Sequence, residues 1–467
     1  MSNGRASWYE RVSKYGKQTV ILEEMLRLGF WPPDPQAAEQ REEAIKQLEG
    51  EYEQLAGLRS ELGTVEKQIS QAGNLPYLLQ EIRKKRIERV RQRREERKQE
   101  KIRLQTERRA SDKAYRLATP PFLGQGVSAG LRYTGGDPAK LAALGLPALE
   151  NASDIARAIG IEESELSWLT YHRGAATIDH YHRFTIPKRS GGLRVISSPK
   201  RQLRVAQSWL LQEVLLKLQI HEAAMAFRPG RSIVDNALQH RQQAVVIRLD
   251  LKDFFPSIRF RRVKGLFESF GYNEGVASIL ALLATEAPRV AMTLDGQRRF
   301  VSTGQRQLPQ GACTSPALTN ILCRKLDSRL SGLARRFGFT YTRYADDLVF
   351  SHPRPDAPLG QFLSFVKKVI EGEGFVLNPE KTAIMRPQHR QAVTGLVVNN
   401  AQPALSRSDL RRFRAFLHHC ETQGFEAVSE QLGKNALGYA RGYLAFIQMV
   451  SPAKAAQLKG RHPWLAR

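Results

Sequence analysis

The stretch YTRYADDLVF, Tyr341 to Phe350, constrains this chain more tightly than any other. It reads as a strand of aromatic and β-branched residues, yet it carries two adjacent carboxylates, Asp346 and Asp347. Successive residues of a strand point to opposite faces, so neighbouring acids within one strand cannot both reach a single site. A tight turn removes the conflict. With Thr340 to Tyr344 and Leu348 to Ser351 as arms, Ala345 to Asp347 becomes the tip of a hairpin that presents both acids at one end of a sheet.

A second acid stands at the mouth of another strand. The apolar run AVVIRLD, typical of a buried strand, ends in Asp250, and DLKDFFPSI continues with aromatics and a proline that stops it. An acid there is costly unless something cationic compensates it. Taken singly, each Asp is equally well a cap or half of a salt bridge. Two strand-end carboxylate sites without His or Cys nearby suit hard, oxygen-preferring Mg²⁺ rather than zinc. Two such ions would clamp the attacking and leaving oxygens of a phosphoryl transfer.

The charge balance points to the same chemistry. With a formal net charge of +26 and a sequence pI of about 10.2, the chain calls for a polyanionic partner, nucleic acid before membrane. No apolar run suggests a spanning helix, the N-terminal MSNGRASWYERVSK lacks a signal-peptide core, and a cytoplasmic protein without a membrane partner is expected. Cys313, Cys323 and Cys420 have no metal-ligand spacing and read as buried small hydrophobes.

Four regions follow from composition: a helical extension over 1–118, a linker over 119–150, an α+β core over 151–405 and a helical region over 406–467. In the first, Ile45, Leu48, Tyr52 and Leu55, then Leu58, Leu62, Val65 and Ile69, recur at steps of three and four like a coiled-coil seam. Asn74 to Pro76 breaks the seam before a second helix, which predicts an αα-hairpin. Its segment Arg83 to Arg103 is strongly basic, and either a solvated face laced with ion pairs or a nucleic-acid surface fits it. PPFLGQGVSAG and YTGGDP, rich in Gly and Pro, make 119–150 read as a linker with short elements.

Two further segments bear on the site. IPKRSGGLRV, Ile186 to Val195, reads as a basic hairpin with Lys188, Arg189 and Arg194 as charge donors, although a plain surface turn also fits. In LPQGACTSPALTN, Pro309 and Gly311 impose a bent entry before a helix starting near Thr314, and the backbone there could lie against a base pair.

In order, IPKRSGGLR, LDLKDFF, LPQG, YADD and GFVLNPEKT (Gly374 to Thr382) resemble the fingers and palm of reverse transcriptases across roughly Ser167 to Asn400. NALQH, Asn236 to His240, and VTG, Val393 to Gly395, resemble the N-A-x-x-H and V-T-G motifs of bacterial retron reverse transcriptases. The N-terminal extension, LGQGVSAGL and FIQMVSPAKAAQL resemble the longer, myxobacterial-type members more loosely.

The resemblance implies a right-hand polymerase with the helices after Ser406 as thumb. It implies that Asp250, Asp346 and the Leu251 carbonyl bind two Mg²⁺ ions, with Asp347 a ligand or an orienting group. Lys188 and Arg194 would hold the triphosphate, Phe255 would lie under the sugar, Gln310 and Gly311 would line the nascent base pair, and Lys381 would protonate pyrophosphate. Asn236, His240, Val393, Thr394 and Gly395 would serve RNA selection. The activity implied is reverse transcription of part of a structured non-coding RNA into RNA-linked single-stranded DNA (msDNA). The protein would stay on the RNA–DNA product within an anti-phage system that includes an effector protein. A scaffold with a dispensable catalytic site is the rival, and a group II intron-like reverse transcriptase the other enzyme reading.

Overall fold

The computed structural model describes residues 57–70, 75–124, 127–128, 131–187, 191–294 and 296–465, with isolated positions nearer the N-terminus. It divides into two compact units, 1–109 and 110–467.

In the first unit a helix covers 57–70, and α1 (Leu75–Ala118) begins after the break at Asn74. Pro76 lies in the first turn of α1, where the missing N–H costs nothing. Leu58 and Leu62 are half-buried and Ile69 is buried, while Ile45, Leu48, Tyr52 and Leu55 lie outside the described residues. Gln54, Glu61, Arg89 and Arg93 line one crevice, so the two helices run side by side as an αα-hairpin. Arg83 to Arg103 is exposed throughout. The boundary between units falls inside α1 rather than at residue 118.

The second unit opens with a correction. Residues 119–150 are not a loose linker: Leu123, Leu141, Leu146 and Leu149 are buried in the main core. Asp137 caps α2 (Pro138–Ala143) through the Lys140 N–H at 3.0 Å, so the GGDP sequence starts a helix as well as making a turn. Next come α3 (Ala152–Ile159), α4 (Glu163–Thr170), β1 (Ala175–Ala176), the hairpin β2 (Tyr181–Pro187) and β3 (Leu193–Pro199), and α5 (Arg201–Glu213). The order continues with α6 (Ile233–Leu238), β4 (Val245–Asp250), α7 (Phe254–Ser257), α8 (Phe260–Phe270) and α9 (Glu274–Ala284). A hairpin of β5 (Arg289–Leu294) and β6 (Gln297–Ser302) follows, with β1 paired to its outer edge. No expectation from sequence covers it, because basic residues interrupt the apolar alternation of its arms.

Then come α10 (Thr314–Leu322), α11 (Arg324–Phe337), β7 (Thr340–Tyr344), β8 (Asp347–His352), α12 (Leu359–Gly372), β9 (Ala383–Met385), β10 (Ala392–Val393) and β11 (Leu396–Val397). The central sheet has the order β7-β8-β4-β9. Its alternation explains its burial: Val245, Ile247 and Leu249 enter one core, while Val246 enters a second core on the opposite face, with Val349 of β8. Ser406 caps α13 (Arg407–Gln423) through the Asp409 N–H at 3.0 Å. The helices α14 (Phe425–Leu432), α15 (Ala436–Val450) and α16 (Pro452–Arg461) follow, with a 3-10 turn at Pro463–Leu465. Among the described residues no helix is long and apolar enough to cross a membrane.

Candidate active site

The register of the central sheet assembles the acids. Asp250, last in β4, faces Asp347, first in β8, across an antiparallel ladder, while Asp347 also pairs with Tyr344 of β7. Only Ala345 and Asp346 remain for the turn, one residue fewer than the expected tip. Ala345 takes φ +58°, a conformation that usually calls for glycine and that costs a residue with a Cβ about 1–2 kcal/mol. What holds it lies beneath.

Arg343 is wholly buried, forms two hydrogen bonds of 2.8 and 2.7 Å to Asp327, and donates to the Ala345 carbonyl at 3.3 Å and the Asn320 amide oxygen at 3.2 Å. Tyr341 adds its hydroxyl to Asp327 at 2.9 Å. The hairpin tip therefore rests on a charged brace with its hydrogen bonds filled, the condition under which a buried ion pair is tolerated.

Leu251 donates its N–H to the Asp346 carbonyl at 3.0 Å, which ties the end of β4 to the turn. Asn378 donates from its backbone to the Asp250 carbonyl at 2.8 Å and from its amide to the Asp250 carboxylate at 3.3 Å. Lys381, in the 3-10 turn Pro379–Lys381, places Nζ 2.9 Å from Asp250 Oδ1. The Lys after NPE, which fits a turn residue equally well in sequence, is thus a partner of the first acid.

Burial raises the Asp346 carboxyl above its ordinary range, and Asp250 adds to the effect while Lys381 and Arg194 oppose it. Asp347 is pushed up to about 6, by burial first and then by Asp346. Crowded carboxylates that resist ionising together are a site for a cation. Lys381 fills part of that role, and its hydrogen bond to Asp250 keeps its ammonium protonated. Among the described residues no three His, Cys, Asp or Glu side chains form a cage. Mg²⁺ needs only one or two carboxylates when it keeps waters and takes substrate phosphates, so oxygen donors from Asp250, Asp346 and the Leu251 carbonyl fit it.

Other expected residues fall into three groups. Arg194 is exposed on β3 and its charge reaches Asp346, but Lys188 and Arg189 lie outside the described residues. Phe255 is half-buried on α7, edge-on to Phe254 at 5.5 Å, after Asp253 turns the chain with φ +46°. Gly311 (φ +118°) makes its close approach to β3 rather than to open space: a Cβ would stand 2.8 Å from Ile196 Cγ2. Its neighbour Gln310 accepts from the Ser197 N–H at 2.7 Å. This segment anchors the root of the basic hairpin.

The third group needs a correction. Asn236 and His240 are wholly buried, so neither side chain can touch RNA in this arrangement. His240 binds Thr342 Oγ1 of β7 and Ser351 Oγ of β8, both at 2.7 Å, and clamps the acid-bearing hairpin from behind. Both amide atoms of Asn236 are buried without a hydrogen-bond partner. Val393 is buried, whereas Thr394 and Gly395 form a turn with φ +46° and +84°. Thr394 Oγ1 donates to the Ile233 carbonyl at 3.2 Å, so the VTG turn docks on the start of the NALQH helix. Sequence spacing gave no sign of that junction, nor of the Arg343 brace.

A family model described as Reverse transcriptase (RNA-dependent DNA polymerase) matches residues 186–403. The chain is 48% identical to the retron Mx162 reverse transcriptase of Myxococcus xanthus over 327 residues, covering 66% of each. It is 42% identical to the retron Mx65 reverse transcriptase of the same organism, covering 70% of this chain and 74% of that one. It is 33% identical to the retron Ec86 reverse transcriptase of Escherichia coli, covering 67% and 88%.

Proposed function

Because the chain belongs to the retron reverse transcriptases, RNA-directed DNA polymerases with a right-hand fold, we propose that it copies part of a structured non-coding RNA into RNA-linked single-stranded DNA. Priming uses a 2′-hydroxyl of that RNA. The protein works in the cytoplasm and stays bound to the RNA–DNA product as part of an anti-phage system in which an effector protein is a partner.

The observation that carries the catalytic part is the Asp250–Asp347 register with Asp346 in the adjoining turn. Asp250, Asp346 and the Leu251 carbonyl would hold two Mg²⁺ ions, which would supply positive charge against the negative charge that develops at the α-phosphate. Asp347 orients the site from the strand. Arg194 and Lys188 draw in the triphosphate. Lys381, held protonated against Asp250, supplies a proton to the departing pyrophosphate. Phe255 packs beneath the sugar and excludes a ribose hydroxyl by collision. Gln310 and Gly311 set the hairpin root against which the nascent base pair forms.

For RNA choice, the VTG turn, exposed in part and docked on α6, offers the contact surface, and buried Asn236 and His240 hold it and the palm in register. Purified protein given Mg²⁺, dNTPs and its co-purified RNA should make DNA joined to that RNA. DNA made only from an added free primer would contradict the priming assignment, and no DNA at all would contradict the polymerase reading.

A further inference from the structure

At the root of the β2–β3 hairpin the chain closes around a polar cavity of about 60 Å³. That is room for one tetrahedral oxyanion or a few waters. Four arginines reach its wall: Arg173 ahead of β1, Arg183 on β2, Arg289 at the start of β5 and Arg306 beyond β6. Two carboxylates answer them. Asp179 and Glu286 are buried, and both are engaged by Arg183.

The other three arginines form no ion-pair contact with a carboxylate among the described residues, and Glu286 acts on Arg306 only at longer range. Arg289 donates to the carbonyls of Phe300 at 2.7 Å and Arg173 at 2.6 Å. Arg306 donates to the Leu282 carbonyl at 2.8 Å and the Thr285 hydroxyl at 3.2 Å. Neutral dipoles satisfy the N–H groups and leave the charge in place. Its field is felt nearby: His172 and His180 are each depressed to about 4, by burial first and with contributions from Arg306 and Arg289.

The mouth is aromatic. Trp168 and Tyr171 line it with 39% and 36% of their surface exposed, and Phe122, 64% exposed, stands 6.0 Å from the Tyr171 ring. The Arg173 guanidinium lies 4.6 Å from the centre of that ring. Uncompensated cations beside exposed rings are the two components of single-strand binding, charge for phosphates and faces for bases.

We propose that this cavity binds a phosphate of a single-stranded polynucleotide, with the adjoining base stacked on the Tyr171 and Phe122 rim. The cavity admits a phosphate group but not a whole nucleotide, and its rings open to solvent instead of enclosing a base. That geometry suits a strand crossing the surface better than a captured nucleotide. The inference rests on the polymerase reading only in identifying the strand as RNA template, since binding itself needs no catalysis.

The test is equilibrium binding of a labelled single-stranded RNA of about four nucleotides to the full chain, without divalent cations or dNTPs. Arg173→Gln and Tyr171→Ala change exposed side chains, and melting curves confirm that each variant is folded. Each should weaken binding about tenfold. Arg173→Gln should also lower the salt slope by about one unit. Inorganic phosphate should compete, and a mononucleotide should compete no better than phosphate. Unchanged affinity and slope in both variants would overturn the proposal, as would a mononucleotide that competes far better than phosphate. A wild-type protein that binds the strand yet never polymerises counts against the polymerase reading alone.

Discussion

The two hairpins β7–β8 and β2–β3 have the same topology and opposite construction. β7–β8 belongs to a four-stranded sheet, with β7 at its edge, and is buried through most of both arms, braced by Arg343 below and clamped by His240 behind. β2–β3 forms a two-stranded sheet whose outer half exposes Ile186 at 45%, Leu193 at 63% and Val195 at 52%. One carries acids and the other cations. Phosphoryl transfer tolerates little error in where metal ligands stand, so the acids need a hairpin with no freedom. On the proposed function a cationic arm gathers a flexible triphosphate from the surface, and its root is tied by the Ser197 N–H to the Gln310 carbonyl and by Arg183 to Glu286.

If this contrast is right, damage to the buried hairpin should abolish the chemical step or the fold, while damage to the exposed one should weaken substrate capture. The largest effect belongs to Asp250→Asn, which should reduce the rate of DNA synthesis by about 10³-fold or more while RNA binding persists. Single-turnover extension beside a filter-binding assay reads both. Arg343→Met should cost about 3–5 kcal/mol of stability, because it strands Asp327 without its cation. Denaturant unfolding measures this, and a loss under 1 kcal/mol would mean that the brace is dispensable.

His240 gives a pH test of the same hairpin. Burial depresses its imidazole to about 3, against about 6.5 in the unfolded chain, so between these values the unfolded state takes up a proton that the folded state refuses. Its contribution is fully present above about pH 6.5 and is lost as pH falls toward 3, at up to about 1.4 kcal/mol per pH unit. His240→Gln should start from a lower stability and show a flatter acid limb; parallel limbs would remove His240 from the account. The smallest effect is expected on the exposed arm. Arg194→Ala should raise KM for dNTP about tenfold and leave kcat within a few fold. A fall in kcat with KM unchanged would place Arg194 in the chemical step.

Local chemistry made the strand-end acids, the β7–β8 hairpin and the helix start at Ser406 legible in sequence. Asp250, Asp346 and Asp347 interrupt strongly apolar patterns, and such interruptions are costly enough to be informative. Side chains whose roles depend on distant partners were not legible. The spacing of Asn236 and His240 marks the family but does not say that both point inward, because Thr342 and Ser351 lie more than 100 residues away. Residues 119–150 misled for a related reason: glycine and proline advertise turns, while the four leucines that become buried, Leu123, Leu141, Leu146 and Leu149, show no regular period. The arginine cavity left no linear trace, being drawn from α4, β1, β2, α5, α9, β5 and the segment beyond β6.

The most direct test of the central claim is single-nucleotide addition by Asp346→Asn and Asp347→Asn, measured beside their melting temperatures. Asp346 stands in the turn, whereas the backbone of Asp347 is held in the ladder opposite Asp250. The account predicts that Asp346→Asn melts like the wild type and adds no nucleotide, and that Asp347→Asn retains a measurable rate. A folded Asp346→Asn protein that extends its primer within about tenfold of the wild-type rate would contradict it.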